Sequence, residues 1–458
     1  MSKSILMKPN RPGPPLFERL GAGLLLLVFI AMMAGRFSLD RLSPSLPSAD
    51  LRLVLLYGIV LLALIWFNGA REHLPKPVMF GGSGLFLAWA AWLAFSAGWA
   101  PAGARTSDTL LDVALLVAFT LMAWMLMRRL PAEVTDRIWK WMIVAAMIYF
   151  VLAMAAGPGA QGRYAAPGGG PNVFVRVMVL GAIASLYFSS TKKKAWALLP
   201  IPFFAVGAAL SGSRGGLLSA LLVLVIFFIP IVRSLGWGKI LLLAFGSATS
   251  GWFLLTQNNG QLWKFIEERY IQQTFVEGYR SGRDTIAEDA IRLYQQSPVI
   301  GTGMDGYYVL QDDPGTFEYP HNLVLATMAE AGTVGLVFLL ACFAALVMGT
   351  WRVRPVQPSV LYAAGAGFYL GFTSLFSGDY YDTRLMWFFL GFAAVQAAKG
   401  VKDSPSLEGI PIPQPALQHQ QPVVAGCLKN PSPPAPDSPA NAAMTPTCTA
   451  RSSAGFDL

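Results

Sequence analysis

The sequence predicts an all-α polytopic membrane protein of about twelve transmembrane helices, and three observations carry that prediction. Only 13% of the 458 residues are charged, where a water-soluble domain carries about 25%. Hydrophobic residues make up 54% and the mean hydropathy is +0.51. Apolar runs of about 20 residues recur along the chain, each long enough to cross a hydrocarbon layer of about 30 Å.

Read in order, the runs place helices near 17–35, 51–68, 78–99, 109–127, 139–156, 172–189 and 195–211, then near 215–233, 239–256, 333–351, 358–377 and 384–400. The first, Gly21 to Met33, has no small-residue cleavage site before "GRFSLDRLSPS", so it reads as a retained signal anchor. An even number of spans puts both termini on one side. Alternate connections hold Lys3, Lys8, Arg11 and Arg19, then Arg71 and Lys76, then Arg128, Arg129, Arg137 and Lys140. The same set continues with Lys192, Lys193 and Lys194, Arg233 and Lys239, Arg352 and Arg354, and Lys399 and Lys402. That side is expected to be cytoplasmic.

The expected organisation is nine spans over 1–256, a helical segment ending in a re-entry half-helix over 257–332, three more spans over 333–401, and a tail over 402–458. In the segment 257–332, "QLWKFIEERYIQQTFVEGY" and "SGRDTIAEDAIRLYQQ" read as amphipathic helices lying on the membrane surface. Ile286, Ala290, Leu293 and Tyr294 fall on one face of the second, and Ser281 with Asp284 resembles a capping box. The tail is rich in Pro, Ala and Ser, the composition of a disordered segment. Its three cations and four anions leave it at −1, so the remainder carries +10 of the chain's overall +9. Cys342 falls in an apolar run and Cys427 and Cys448 in the tail, which fits neither a disulfide framework nor a zinc site.

Arginines on the non-cytoplasmic side go against the usual charge bias. They are Arg163 in "QGRYAAPGGGPN", Arg214 in "SGSRGG", Arg283 in "SGRDT", Arg384 in "DYYDTR", and Arg176 one turn inside a span. Arginine stays charged and offers a planar fork of donors that suits phosphate. Arg384 has Asp379 and Asp382 beside it and reads as an ion-pair partner. Arg214 sits in a break of small residues at a membrane boundary, where charge is costly and usually functional. The Gly- and Pro-rich "RYAAPGGGPN" can bring backbone N–H groups close to an anion. The set points to an anion site at the membrane surface, suited to a lipid-linked phosphate or pyrophosphate.

His321 follows Pro320 where the long segment re-enters the membrane. "HNLVLATMAEAG" is too short to span, so a half-helix broken at Gly332 is expected. An imidazole titrates near neutrality and can serve as a general base beside a bound phosphate, although a lone histidine is more often interfacial. The adjacent aspartates of "QDDPG" form a turn and not a metal pair.

The stretches "RYAAPGGGPN", "SGSRGG", "GRDTIAEDAIRLYQQSPVIGTGMDGYY" and "YPHNLVLATMAEAGTVGL" come in this order over roughly residues 150–390. This pattern resembles the O-antigen ligase and polymerase superfamily of membrane glycosyltransferases. Gly170 departs from the family's loop, which often carries asparagine there. The resemblance implies an inverting transferase without metal or cofactor in the bacterial inner membrane, with its active site facing the periplasm. Its implied donor is an undecaprenyl-pyrophosphate-linked glycan and its implied acceptor a hydroxyl of the lipid A–core oligosaccharide. Membrane lipids surround it, and nucleic acid is not an expected partner. By resemblance Arg214 and Arg283 hold the pyrophosphate and His321 is the base. Arg163, Arg176, Asn172, Asn322, Glu330 and Asp379 complete the substrate-binding set. Repeat-unit polymerisation and transfer to protein remain open within the superfamily. A lipid-linked glycan transporter is the alternative from another class.

Overall fold

The computed structural model describes residues 16–41, 45–70, 81–159, 161–165, 169–256, 261–276, 282–314, 316–351 and 357–402. The expected tail beyond 402, the cations Lys3, Lys8, Arg11, Arg71, Lys76, Arg352 and Arg354, the centre of the glycine loop at 166–168, and Ser281 lie outside the described residues.

A helix occupies each of the apolar stretches read from the sequence. They are α1 (Leu16–Ala34), α2 (Leu51–Ala70), α3 (Gly81–Ser96), α4 (Thr106–Arg129), α5 (Arg137–Ala156), α6 (Pro171–Thr191), α7 (Ile201–Leu210), α8 (Arg214–Leu235) and α9 (Trp237–Thr256). In the long segment, α10 (Gln261–Ile266) continues as a π-helix over Glu267–Val276, and α11 (Arg283–Gln296) follows. The chain then forms α12 (Leu323–Trp351), α13 (Pro358–Ser374) and α14 (Arg384–Lys402). Prolines at the first turn of α6, α7 and α13 set these starts, where a missing N–H costs no helical bond.

Among the described residues six helices are long and apolar enough to span a membrane: Leu16–Ala34, Thr106–Arg129, Ala132–Ala156, Pro171–Thr191, Arg214–Leu235 and Leu323–Thr350. The chain is a multi-pass all-α membrane protein. The stretch near 195–211 divides into a 3₁₀ turn at Ala195–Leu198 and the ten-residue α7, with Pro200 at the break between them.

Without a solvent-driven core, packing between helices depends on close fit. The hairpin α13–α14 packs on itself and meets α6, α8, α4 and α12, while α3 lies along α12. Where α3, α4 and α14 meet, Phe86, Trp89, Trp124 and Trp387 pack with ring centroids 5.2–6.0 Å apart. The Trp124 Nε1–H donates to the Trp387 carbonyl at 3.0 Å.

Helix α12 is two helices joined across Gly332, which has φ 65° and ψ −164°. The loop after α11 inserts at this break and takes up the groups it frees. Thr302 N and Gly303 N donate to the carbonyls of Ala329 and Glu330 at 2.8 and 3.0 Å. Thr333 N and Val334 N donate to Pro298 O and Val299 O at 2.8 and 3.2 Å. Trp92 Nε1–H closes the set on Ala331 O at 2.9 Å. These bonds satisfy Ala329 O, Glu330 O, Ala331 O, Thr333 N and Val334 N at the break, as backbone at membrane depth requires. Helix α11 rests on this half-helix through Ile286, Ala290 and Leu293, packed with Tyr307 and Ala329. Its start differs from the capping box read in the sequence. The helix begins at Arg283 with Gly282 as N-cap in a left-handed conformation, so Asp284 falls one position too early. Thr285 Oγ1 donates to Gly282 O at 2.8 Å instead.

Candidate active site

The break before α8 builds one wall of a cavity of about 260 Å³. Ser213 caps α8, accepting from Gly216 N at 3.4 Å. A Cβ at Gly215 would lie 2.6 Å from Phe376 Cβ, and one at Gly216 would lie 2.4 Å from Val175 Cγ1. These glycines let the start of α8 sit directly against α6 and the loop before α14. Arg163, Arg214, Arg269, Arg283, Asn172 and His321 line the cavity, and among the described residues no carboxylate does. Asn172, Arg214 and Arg283 come from the first turns of α6, α8 and α11, while His321 stands two residues before α12. Several helix N-termini thus converge here, each adding positive partial charge and unpaired N–H groups.

Short polar contacts fix the walls. Arg163 donates through Nε to Ser211 O at 2.9 Å and through Nη2 to Asn172 Oδ1 at 3.4 Å. Asn172 Oδ1 also accepts from Ser213 Oγ at 2.8 Å, and its Nδ2 donates to Ser377 Oγ at 2.9 Å. Arg269 donates to Gly212 O at 3.2 Å and to Gln273 Oε1 at 2.6 Å. Burial pushes Arg163 down to about 10, helped by repulsion from Arg269, Arg283 and Arg214. Burial and the same crowding by Arg214 and Arg269 lower Arg283. Cations held this close together repel one another, and a multiply charged anion between them would relieve that repulsion.

His321 has φ 53°, and its ring meets Tyr319 edge-to-face with centroids 4.4 Å apart. Burial and then Arg283 hold its pKa below the ordinary value, against the opposing pull of Asp382 and Glu318. The side chain is therefore a neutral base near neutrality. Asn322 caps α12, its Oδ1 accepting from Val324 N at 2.9 Å and Leu325 N at 3.1 Å. It thereby fixes the helix start next to His321 and is not part of the cavity lining.

A second cavity of about 190 Å³ holds Glu330 and Asp379, together with Arg36, Arg105, Asp112 and Tyr319. Glu330 Oε2 accepts from Tyr380 Oη at 2.8 Å. Asp379 accepts from Arg36, which also holds Asp112, and from Asp382 N at 3.0 Å. Burial and its neighbour Asp382 raise the Asp379 carboxyl. Glu318, Tyr319 and Pro320 line this cavity while His321 lines the first, so this short segment is a shared wall.

The structure thus brings Arg163, Asn172, Arg214, Arg283 and His321 into one cavity and places Glu330 and Asp379 in its neighbour. Arg176 lies beside the first cavity, held by Ser377 O at 2.5 Å and lining a small recess with Arg283 and Asn172. Arg384 pairs with Asp382 at 3.2 Å and donates to Met32 O at 2.5 Å, away from both cavities. Sequence reasoning missed Arg269. It sits in "FIEERYIQQ" among charges that read as an ordinary amphipathic face, and only the π-helix turns it onto Gly212. Arg36 and Arg105 were missed because their partners are distant in sequence.

Two comparisons bear on identity. Among curated proteins none matches the chain. Residues 199–340 match the family described as O-antigen ligase, about a third of the chain and the part that supplies Arg214, Arg269, Arg283, His321 and Glu330. The chain therefore carries an O-antigen ligase family domain over residues 199–340.

Proposed function

We propose that the protein is an O-antigen ligase of the bacterial inner membrane, with twelve spans, both termini cytoplasmic and its cavities facing the periplasm. The donor is a glycan on undecaprenyl pyrophosphate, and the acceptor is a sugar hydroxyl of lipid A–core. The observation that carries this reading is the convergence of four arginines on one cavity, with a neutral histidine on its wall. Arg163, Arg214, Arg269 and Arg283 bind the diphosphate and stabilise the charge that grows as it leaves. The scheme uses no metal or cofactor.

His321 takes the proton from the acceptor hydroxyl as its oxygen attacks the anomeric carbon of the donor glycan. The bond from that carbon to the pyrophosphate breaks, the configuration inverts, and undecaprenyl pyrophosphate departs. The acceptor enters from the second cavity, where Asp379 and Glu330 offer carboxyl oxygens to sugar hydroxyls. Tyr319 orients the imidazole between the two.

Reconstitution with lipid-linked glycan and rough lipopolysaccharide tests the reading. A glycan covalently joined to lipid A–core, with release of undecaprenyl pyrophosphate, is expected. Longer glycan left on the lipid carrier means a polymerase, and movement of the donor without covalent product means a transporter.

A further inference from the structure

A groove of about 460 Å³ lies at the far end of α4 from the two cavities, between α2, α3 and α4. Asp108, Thr109 and Asp112 of α4 line the second cavity, whereas Ala118, Met122, Arg128 and Arg129 line the groove. The twenty residues from Thr109 to Arg129 rise about 30 Å, so the groove sits in the opposite half of the membrane. Among the described residues its lining is apolar except for Ser83 and the two arginines, with no carboxylate. Val60, which is 44% exposed, leaves it open at the flank. The mouth is cationic. Arg129 stacks over Phe67 at 5.3 Å, and its Nη1 is buried with no hydrogen-bond partner. Lys399 donates to the carbonyls of Met127 and Leu130 at the end of the same helix, both at 2.6 Å.

A long apolar slot with guanidinium groups at one end matches an amphiphile with an alkyl chain and an anionic head. Basic pockets between transmembrane helices commonly take such head groups. We propose that this groove holds one anionic phospholipid, with an acyl chain between α2 and α4 and its phosphate on Arg128 and Arg129. The buried Nη1 of Arg129 then gains the acceptor it lacks. The lipid ties α2 to α4, the helices that carry Arg52 and Asp112 at their other ends.

Photoactivatable phosphatidylglycerol with a diazirine in one chain tests this on the purified full-length protein, with the phosphatidylcholine analogue beside it. Adducts on residues 56–67 and 118–125 are expected, at least fivefold more with the anionic lipid. Exchanging both arginines (R128Q with R129Q) should lower that labelling about tenfold, while Arg129→Lys keeps most of it. Ala118→Trp, on the lipid-facing flank, should block labelling by both lipids without touching the arginines, and it serves if the arginine exchange fails to fold. Equal labelling by the two lipids overturns the proposal. So do adducts that avoid the groove, or labelling unchanged by Ala118→Trp.

Discussion

His321 is the residue on which the proposed chemistry turns. Replacing it with alanine should lower transfer by about 10²–10⁴-fold, the usual contribution of a general base, with donor binding retained in a pull-down with lipid-linked glycan. Because burial and Arg283 hold its pKa down, the base stays unprotonated below about pH 6.5. The acid limb of kcat/KM is therefore expected below that value. Arg283→Gln removes a cation that opposes protonation, so the limb of its residual activity should move to higher pH. Histidine NMR, with only three imidazoles in the chain, reads the same shift directly. Arg214→Lys should leave transfer at least tenfold down, since an ammonium cannot make a forked contact with phosphate. His321, Arg214 and Arg283 were legible because charge and imidazole are rare in an apolar chain and each stands at a break. Arg269 was not, because its neighbours Glu267 and Glu268 make it look like surface charge.

At the scale of elements, the break in α12 holds Glu330 and His321 in place. Gly332 has φ 65° and ψ −164°, a region open essentially to glycine alone, and a Cβ there would lie 2.3 Å from Val299 O. Gly157 has φ 73° and ψ −175°, with nothing within 4 Å of its Cβ position. The two make a matched pair. Gly157→Ala should cost only the conformational strain, about 1–3 kcal/mol. Gly332→Ala should cost more, because it also expels the inserted loop, and it should abolish transfer. Equal losses of thermal stability would show that the loop does not brace the break. The sequence revealed the half-helix and its breaking point through its length and Gly332. It could not reveal that residues 298–303 fill the break, because that pairing depends on how the loop folds back.

Across the whole molecule, the two cavities draw on helices far outside the family domain. Arg36 joins Asp112 to Asp379, 343 residues apart from it in the latter case, and Arg52 joins Asp50 to Asp112. Arg36, Arg52 and Arg384 all lie over the ring of Tyr381, at 5.4, 4.6 and 4.9 Å. Arg36→Ala leaves two half-buried carboxylates without their shared cation. Partial exposure tempers the effect to about 1–3 kcal/mol of stability. The KM for acceptor should rise while donor binding stays unchanged, measured by varying each substrate in turn. The helix positions were legible from the apolar runs. The second cavity was not, since its arginines look topological until the fold brings their carboxylates to them.

The most direct test is a cryo-electron-microscopy structure of the protein with an undecaprenyl-pyrophosphate-linked glycan in a lipid nanodisc. The diphosphate is expected between Arg163, Arg214, Arg269 and Arg283, within hydrogen-bonding distance of at least Arg214 and Arg283, with His321 facing its glycan end. A diphosphate bound elsewhere, with that cavity left to solvent, would contradict the proposed reaction.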